Sequence, residues 1–370
     1  MGGLSAEDRE LLTQSVAAFV QNTCDYETLR RTLAGPSGRR ADWWRRLAQE
    51  LGVLGIAQGE AVGGVGGEVA DLAIVAEACG RHLVNEPLLQ SVAIAGELLR
   101  DGGPTADALL SEVIEGEAIV APALLERGSR YRPDAIETDA RADGEGWRLS
   151  GRKTMVRAAP WADALIVSAL TPQGISLFLV DVTAPGLELV AYPTFDGQQA
   201  ADVILSGVVV ETDRLIGEPG RGLEIIERAL DVGVLIQSAE ALGVMRHMMD
   251  ATLEYVRTRR QFGQPIGAFQ ALQHRLADMA MALARAEAVT RSGLKLFEAA
   301  PDRARLVSGI KLAVDAACEA VGEGAVQLHG AIGLTEELSV SHAFKRLTLI
   351  QTELGDAAFH QERILDRAAA

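Results

Sequence analysis

The chain has 370 residues, and at about 150 residues per domain that length implies two or three domains. Hydrophobic residues at 48% and charged residues at 23% exclude a disordered chain or a disulfide-held miniprotein. Lys and Arg total 35 against 51 Asp and Glu, a formal charge of −16. That excludes nucleic acid as a partner, because phosphate binding needs clustered cations, but it leaves room for one small basic cofactor site.

From Ser5 to about Glu115 the pattern is helical. Ser5-x-x-Asp8 reads as a capping box, and Leu11, Leu12, Val16, Phe19 and Val20 form one apolar face behind it. Trp43 to Leu51 and Leu72 to Leu83 repeat the spacing, with a flexible glycine loop, Gly59 to Gly67, between them. From Glu117 to about Val210 the period falls to two. Strand-like runs at 118–122, 164–169, 175–180, 187–191 and 203–205 imply a β domain of five to eight strands. From Pro219 long helices return: Leu223 to Arg260, a Gly-Pro turn, Phe269 to Ala299, a break at Pro301, a third helix from Asp302, and shorter ones after His329. Long amphipathic helices with short turns predict a bundle. The expected fold is α+β, mainly α, with a helical domain over 1–115, a middle β domain over 116–212 and a helical bundle over 213–370.

Cys24, Cys79 and Cys318 are scattered, with no Cys-x-x-Cys pair, as reduced core thiols of a cytoplasmic protein would be. The six histidines include no His-x-x-x-His pair, so no metal site is expected. No apolar run nears the roughly 18 residues of a membrane span. The start, Met1-Gly2-Gly3-Leu4-Ser5-Ala6, has Ala6 where myristoylation wants Ser or Thr, and no signal peptide follows.

Three segments could carry chemistry. Gly64-x-Gly66 is followed three residues later by Val69 and is flanked by helical sequence, which argues against a dinucleotide-binding turn. Arg257-Thr-Arg259-Arg260-Gln261-Phe262-Gly263-Gln264-Pro265 ends a long helix in arginines and a reversal. Those arginines suit phosphate oxygens, but they also complement a helix C-terminus. Gln327-Leu328-His329-Gly330-Ala331 closes another helix on a glycine, where a group could approach the backbone or the helix could simply end.

In this order and spacing the chain resembles the acyl-CoA dehydrogenases. The carriers are Arg259-x-x-Phe262-Gly263-Gln264-Pro265-Ile266-Gly267-x-Phe269-Gln270, Arg275-Leu276-Ala277-Asp278-Met279 and Gln327-Leu328-His329-Gly330. Ile175-Ser-Leu-Phe-Leu-Val-Asp181, Phe344-Lys-Arg-Leu-Thr-Leu-Ile350 and Gly355-Asp356 are similar to the small-subunit members typified by pimeloyl-CoA dehydrogenase. The resemblance implies an N-terminal helical domain, a middle β domain and a C-terminal four-helix bundle. It also implies FAD, an acyl-CoA substrate, and electrons passed to an electron-transfer flavoprotein. A carboxylate takes the Cα proton and the flavin takes hydride from Cβ. Across the family dimer, Arg259, Gln261, Phe262, Gln270, Gln327, Leu328, His329, Gly330 and Ala331 match residues that reach the neighbouring subunit's FAD.

The catalytic positions depart from the pattern. Matching places Gly233 and Leu354 where the family keeps its base, and neither accepts a proton. Glu353, one residue away, is the candidate carboxylate, although on a helix one residue turns a side chain by about 100°. In the middle domain the flavin-holding stretches read Ala123 to Arg130 and Met155-Val156-Arg157, without the stacking indole or the hydroxyl. The chain has kept what it would donate and lost what it would use. Three readings follow: a non-catalytic small subunit completing the FAD site of a catalytic large subunit; a self-sufficient homo-oligomeric dehydrogenase using Glu353 or another carboxylate; and a flavin-free scaffold on the same fold.

Overall fold

The computed structural model describes residues 3–35, 37–100 and 102–369; the Met1–Gly2 start, on which the expectation about acylation rests, lies outside them. The first helix, α1 (Ala6–Thr23), opens on the expected capping box. The Ser5 amide donates to Asp8 Oδ2 and the Asp8 amide to Ser5 Oγ, each at 3.1 Å, and these bonds to Ser5 hold the Asp8 carboxyl below its ordinary value. Val16 and Val20 are buried, but Leu11 is 63% exposed and leaves the predicted face. Five residues before Val16 is about 140° around the helix.

The helical first part continues through α2 (Tyr26–Ala34), α3 (Ala41–Leu51), α4 (Val69–Arg81), α5 (Ala95–Leu99) and α6 (Pro104–Ile114). A wholly buried π-helical stretch, Leu88–Ile94, runs into α5. Gly59 to Gly67 is not the flexible loop expected. Backbone bonds from Gly64 to Gly59, Val65 to Gly55, Gly66 to Gln58 and Gly67 to Ile56, at 2.7–3.0 Å, lace it shut.

Eight strands follow: β1 (Val120–Ala123), β2 (Asp139–Asp143), β3 (Gly146–Arg157), β4 (Ala164–Thr171), β5 (Gly174–Asp181), β6 (Leu187–Pro193), β7 (Gln199–Val210) and β8 (Leu215–Ile216). They form one sheet in the order β6-β7-β3-β2-β4-β5-β8, with β1 parallel to β4. The period-two reading located β1 and β4 to β7. It passed over β2 and β3, whose charged residues (Asp139, Arg141, Arg148, Arg152) lie at the surface while Lys153 breaks the apolar alternation from inside. A register shift between Lys153 and Val156 marks a bulge in β3, and Met155 sits there at φ 55°. Trp147 packs edge-on to the buried Phe178 at 5.6 Å in the core of this sheet.

The remaining chain forms α7 (Gly222–Thr258), a two-stranded hairpin of β9 (Arg260–Gln261) and β10 (Gln264–Pro265), then α8 (Gln270–Leu296), α9 (Arg303–His329), α10 (Ser339–Ile350) and α11 (Ala357–Ala369). Asp302 caps α9 by accepting the Arg305 amide at 3.0 Å, where the Pro301 break placed the start. The architecture is thus mainly α with a central sheet.

The chain gathers into two compact units. The first holds residues up to Arg9, Thr32–Leu72 and Asn85–Gly233, including the sheet; the second holds Glu10–Arg31, Ala73–Val84 and the chain from Val234, including the bundle. The first helical stretch of sequence is therefore shared between them. Within the second unit α4 crosses α7 at two glycines. A Cβ on Gly80 would lie 2.1 Å from the Glu240 carbonyl oxygen, and one on Gly243 would lie 2.0 Å from that of Glu77. Only hydrogen side chains allow backbones that close.

Candidate functional site

In the second unit α7 ends where Tyr255 O accepts the Arg259 amide at 2.8 Å. The hairpin then pairs Gln261 with Gln264 and Arg260 with Pro265. Its two-residue tip puts Phe262 at φ 55° and Gly263 at φ 82°, the primed turn that suits hairpin twist but costs a non-glycine residue about 1 kcal/mol or more. Phe262 is also 91% exposed, touching Phe269 edge-on at 6.0 Å. A strained, solvent-facing aromatic with so little cover is costly unless something else binds it. Arg260 donates to Gly263 O at 3.1 Å and stays on the hairpin. The Arg259 guanidinium is exposed and pairs with no other side chain among the described residues. Gln261 and Gln270 are exposed as well.

The second motif ends α9. Gly330 stands at φ 67° and ψ −149°, a conformation open only to glycine, and its amide bonds Val326 O. Gln327, Gly330 and Ala331 are exposed, and a Cβ on Gly330 would meet nothing within 4 Å. Leu328 and His329 point inward and are buried, so of these two only backbone groups can reach an outside ligand. His329 Nδ1 lies 2.9 Å from Ala325 O, which makes it the protonated nitrogen, and burial lowers the pKa of the ring.

One residue that the motif reading missed ties the two segments together. The Tyr255 ring stacks on His329 at 4.4 Å and 24°, and its hydroxyl donates to His329 O at 3.3 Å. A lone tyrosine at helical spacing in the last turns of α7 gives no signal of this. The partner is 74 residues away.

Glu353 is committed elsewhere. Its Oε2 accepts from Gln237 Nε2 at 2.7 Å and from Arg346 at 3.0 Å. Arg346, itself buried, also grips Glu240 through two bonds of 2.6 and 2.8 Å. The loop after α10 is pinned twice more, by Lys311 Nζ on Ile350 O at 2.8 Å and by His360 Nε2 on Leu354 O at 3.1 Å. Leu354 adopts φ 60° in this frame. Gly233 lies within α7 in the first unit, a buried helical position without a side chain.

His360 gives the loop a measurable pH dependence. Burial, helped by the Lys311 charge, lowers its pKa from 6.5 to about 4. Between those values the unfolded chain holds a proton that the folded chain does not, so stability falls as pH drops from 6.5 to 4. The expected loss is about 3 kcal/mol. Asp315, pushed up to about 6 by burial against the opposing Lys311 charge, acts in the other direction, so the readout is a difference. Urea unfolding across this range should show wild type losing stability relative to His360→Asn; parallel curves would contradict it.

In the first unit, two of the residues in the stretches expected to hold a flavin are bonded internally. Arg157 is buried and bonded to Asp196 at 3.0 Å and to Gln198. Ser129 Oγ closes on Glu126, accepting its amide at 3.0 Å and donating to its carbonyl at 2.8 Å. Met155 is 43% exposed. Among the described residues no group of three or more His, Cys, Asp or Glu could hold a metal ion, and no helix is long and apolar enough to cross a membrane.

Residues 6–116, 121–209 and 220–369 match the models of the acyl-CoA dehydrogenase N-terminal, middle and C-terminal domains. Acyl-CoA dehydrogenase IpdE2 of Mycobacterium tuberculosis is 31% identical over 340 residues, covering 92% of this chain and 91% of that one. The crystal structure of the ChsE4-ChsE5 complex from Mycobacterium tuberculosis superposes with a TM-score of 0.91 at 28% identity, covering 100% of this chain and 99% of that one. The structure of a Tcur3481-Tcur3483 steroid ACAD variant gives 0.89 at 30% identity, over 98% of each chain.

Proposed function

The chain belongs to the acyl-CoA dehydrogenase family, oxidoreductases acting on CH–CH groups, and we propose that it is a non-catalytic small subunit completing the FAD site of a catalytic large subunit. The observation that carries this reading is the hairpin: an exposed Arg259 whose guanidinium pairs with no other side chain among the described residues, beside a strained, exposed Phe262. These residues fit a flavin cofactor held by another chain, with a guanidinium for diphosphate oxygens and an aromatic face for a ring. Gln261, Gln270, Gln327 and the open backbone at Gly330 and Ala331 extend the same surface. The residues for holding a flavin within this chain do not fit, because Arg157 and Ser129 are bonded internally and Met155 offers no stacking ring. The similar ChsE4-ChsE5 and Tcur3481-Tcur3483 structures, each named for two components, support the heteromeric assignment, and the steroid ACAD among them supports a CoA thioester of a steroid-type acid as substrate.

When bound, FAD supplies the acceptor for the hydride from Cβ. This chain supplies contacts to it, and the base comes from the partner, since Glu353 is held by Arg346 and Gln237. An electron-transfer flavoprotein would be the partner that accepts the electrons, and we place the complex in the cytoplasm.

The test is an absorbance spectrum of the purified chain alone and co-expressed with a large-subunit-type acyl-CoA dehydrogenase. The lone chain should lack the flavin band, while the pair should carry FAD and oxidise the thioester, with Glu353→Gln leaving turnover unchanged. Stoichiometric FAD and turnover in the lone chain, abolished by Glu353→Gln, would instead establish the self-sufficient enzyme. No flavin in any pairing would leave the scaffold.

A further inference from the structure

The two segments proposed to face the cofactor come from helix ends far apart in sequence, and among the described residues the Tyr255 side chain joins them. Tyr255 sits in the last turn before Arg259, and its carbonyl accepts the Arg259 amide at 2.8 Å. Its ring stacks on His329 at 4.4 Å, and its hydroxyl donates to the His329 carbonyl at 3.3 Å. That carbonyl belongs to the residue before Gly330, where the chain turns outward at φ 67°. His329 cannot swing away. Its Nδ1 is bonded to Ala325 O at 2.9 Å, and its Cβ lies where a Cβ on Gly333 would come within 2.8 Å. Among the described residues no other side chain pairs with Arg259, so its placement depends on the end of α7 being fixed.

We infer that Tyr255 is a positioning residue, locking the Arg259 end of α7 to the His329–Gly330 turn so that both segments meet the flavin as one surface. This rests on the reading that the surface completes a partner's FAD site. A ligand bridging two segments gains affinity when their separation is set beforehand, because the ordering cost is not met on binding. Tyr255 touches no flavin atom in this scheme. It acts through Arg259 and the Gly330 turn.

The experiment measures FAD dissociation from the assembled pair by recovery of flavin fluorescence, with Tyr255→Phe, Tyr255→Ala, Arg259→Ala and the double variant Tyr255→Ala/Arg259→Ala. Circular dichroism of each lone chain reports folding. Tyr255→Ala should weaken FAD binding about tenfold, and Tyr255→Phe, which keeps the stacked ring and loses one hydrogen bond, about threefold to fivefold. A positioning role also requires the double variant to lose less than the product of the two single losses, because displacing Arg259 and deleting it remove the same contact. Losses that multiply, or Tyr255→Ala with wild-type affinity while Arg259→Ala is impaired, would overturn the inference and leave the small-subunit reading standing. Wild-type affinity in every variant would overturn that reading itself. If Tyr255→Ala fails to fold, Tyr255→Phe and its cycle with Arg259→Ala decide the question by the same criteria.

Discussion

Lys153→Met should destabilise the protein by about 3–5 kcal/mol, because it leaves a carboxylate buried without its cation. Lys153 is fully buried in the bulged strand β3, and its Nζ donates to Glu126 Oε1 at 2.7 Å and to Ser168 Oγ at 3.0 Å. Burial lowers the Lys153 pKa to about 8, with Glu126 opposing the shift. Burial also acts to raise the Glu126 pKa, but Lys153, Thr138 and the Glu137 amide outweigh it and hold the carboxyl below its usual range. Glu126 further accepts the Thr138 hydroxyl at 2.5 Å and the Glu137 amide at 2.6 Å. Removing Lys153 strips the strongest of these supports while the carboxylate stays inside. Chemical unfolding of Lys153→Met beside Lys153→Met/Glu126→Gln separates the causes. The double variant should recover part of the loss, and a single-variant cost below about 1 kcal/mol would mean that the pair is relaxed by water. Glu126 lies in the stretch expected to hold a flavin, Ala123 to Arg130. Its carboxylate works for the fold.

Arg259→Ala should weaken FAD binding in the assembled pair by about 10- to 150-fold, the worth of a charge-assisted hydrogen bond of about 1.5–3 kcal/mol. The stability of the lone chain should stay within about 0.5 kcal/mol of wild type, as for surface substitutions without a structural partner. This contrast follows from the geometry. Arg346 and Arg157 are buried between carboxylates or amides of their own chain, whereas Arg259 faces outward and pairs with no side chain among the described residues. Flavin release on dilution and urea unfolding of the lone chain measure the two quantities. Equal FAD affinity in wild type and variant would remove Arg259 from the cofactor surface. A large stability loss would show that it serves the fold.

Much of the architecture was readable from local chemistry. The capping box at Ser5 and Asp8, the Asp302 cap after Pro301 and the long apolar spacing of α7 each depend on residues a few positions apart, so the chain carries them openly. The failures share a cause. Strands β2 and β3 were missed because their charged residues are either solvated or, at Lys153 and Arg157, neutralised by partners 27 and 39 residues away. The glycine loop read as flexible because nothing in its composition reveals the backbone bonds that close it.

The candidate site divides in the same way. Arg259, Phe262 and Gln327 to Ala331 were legible as motifs, since residue type and order survive in one dimension. Whether each side chain faces solvent or core was not. Leu328 and His329 turn inward, Phe262 stands out, and Glu353 is drawn onto Arg346 and Gln237. A balance of −16 with one basic turn is a property of composition and local order, and it is complete in the sequence. The pairing of that turn with a second helix end through Tyr255 exists only once residues 74 positions apart are packed together, because stacking and hydrogen bonding act over a few ångströms of space.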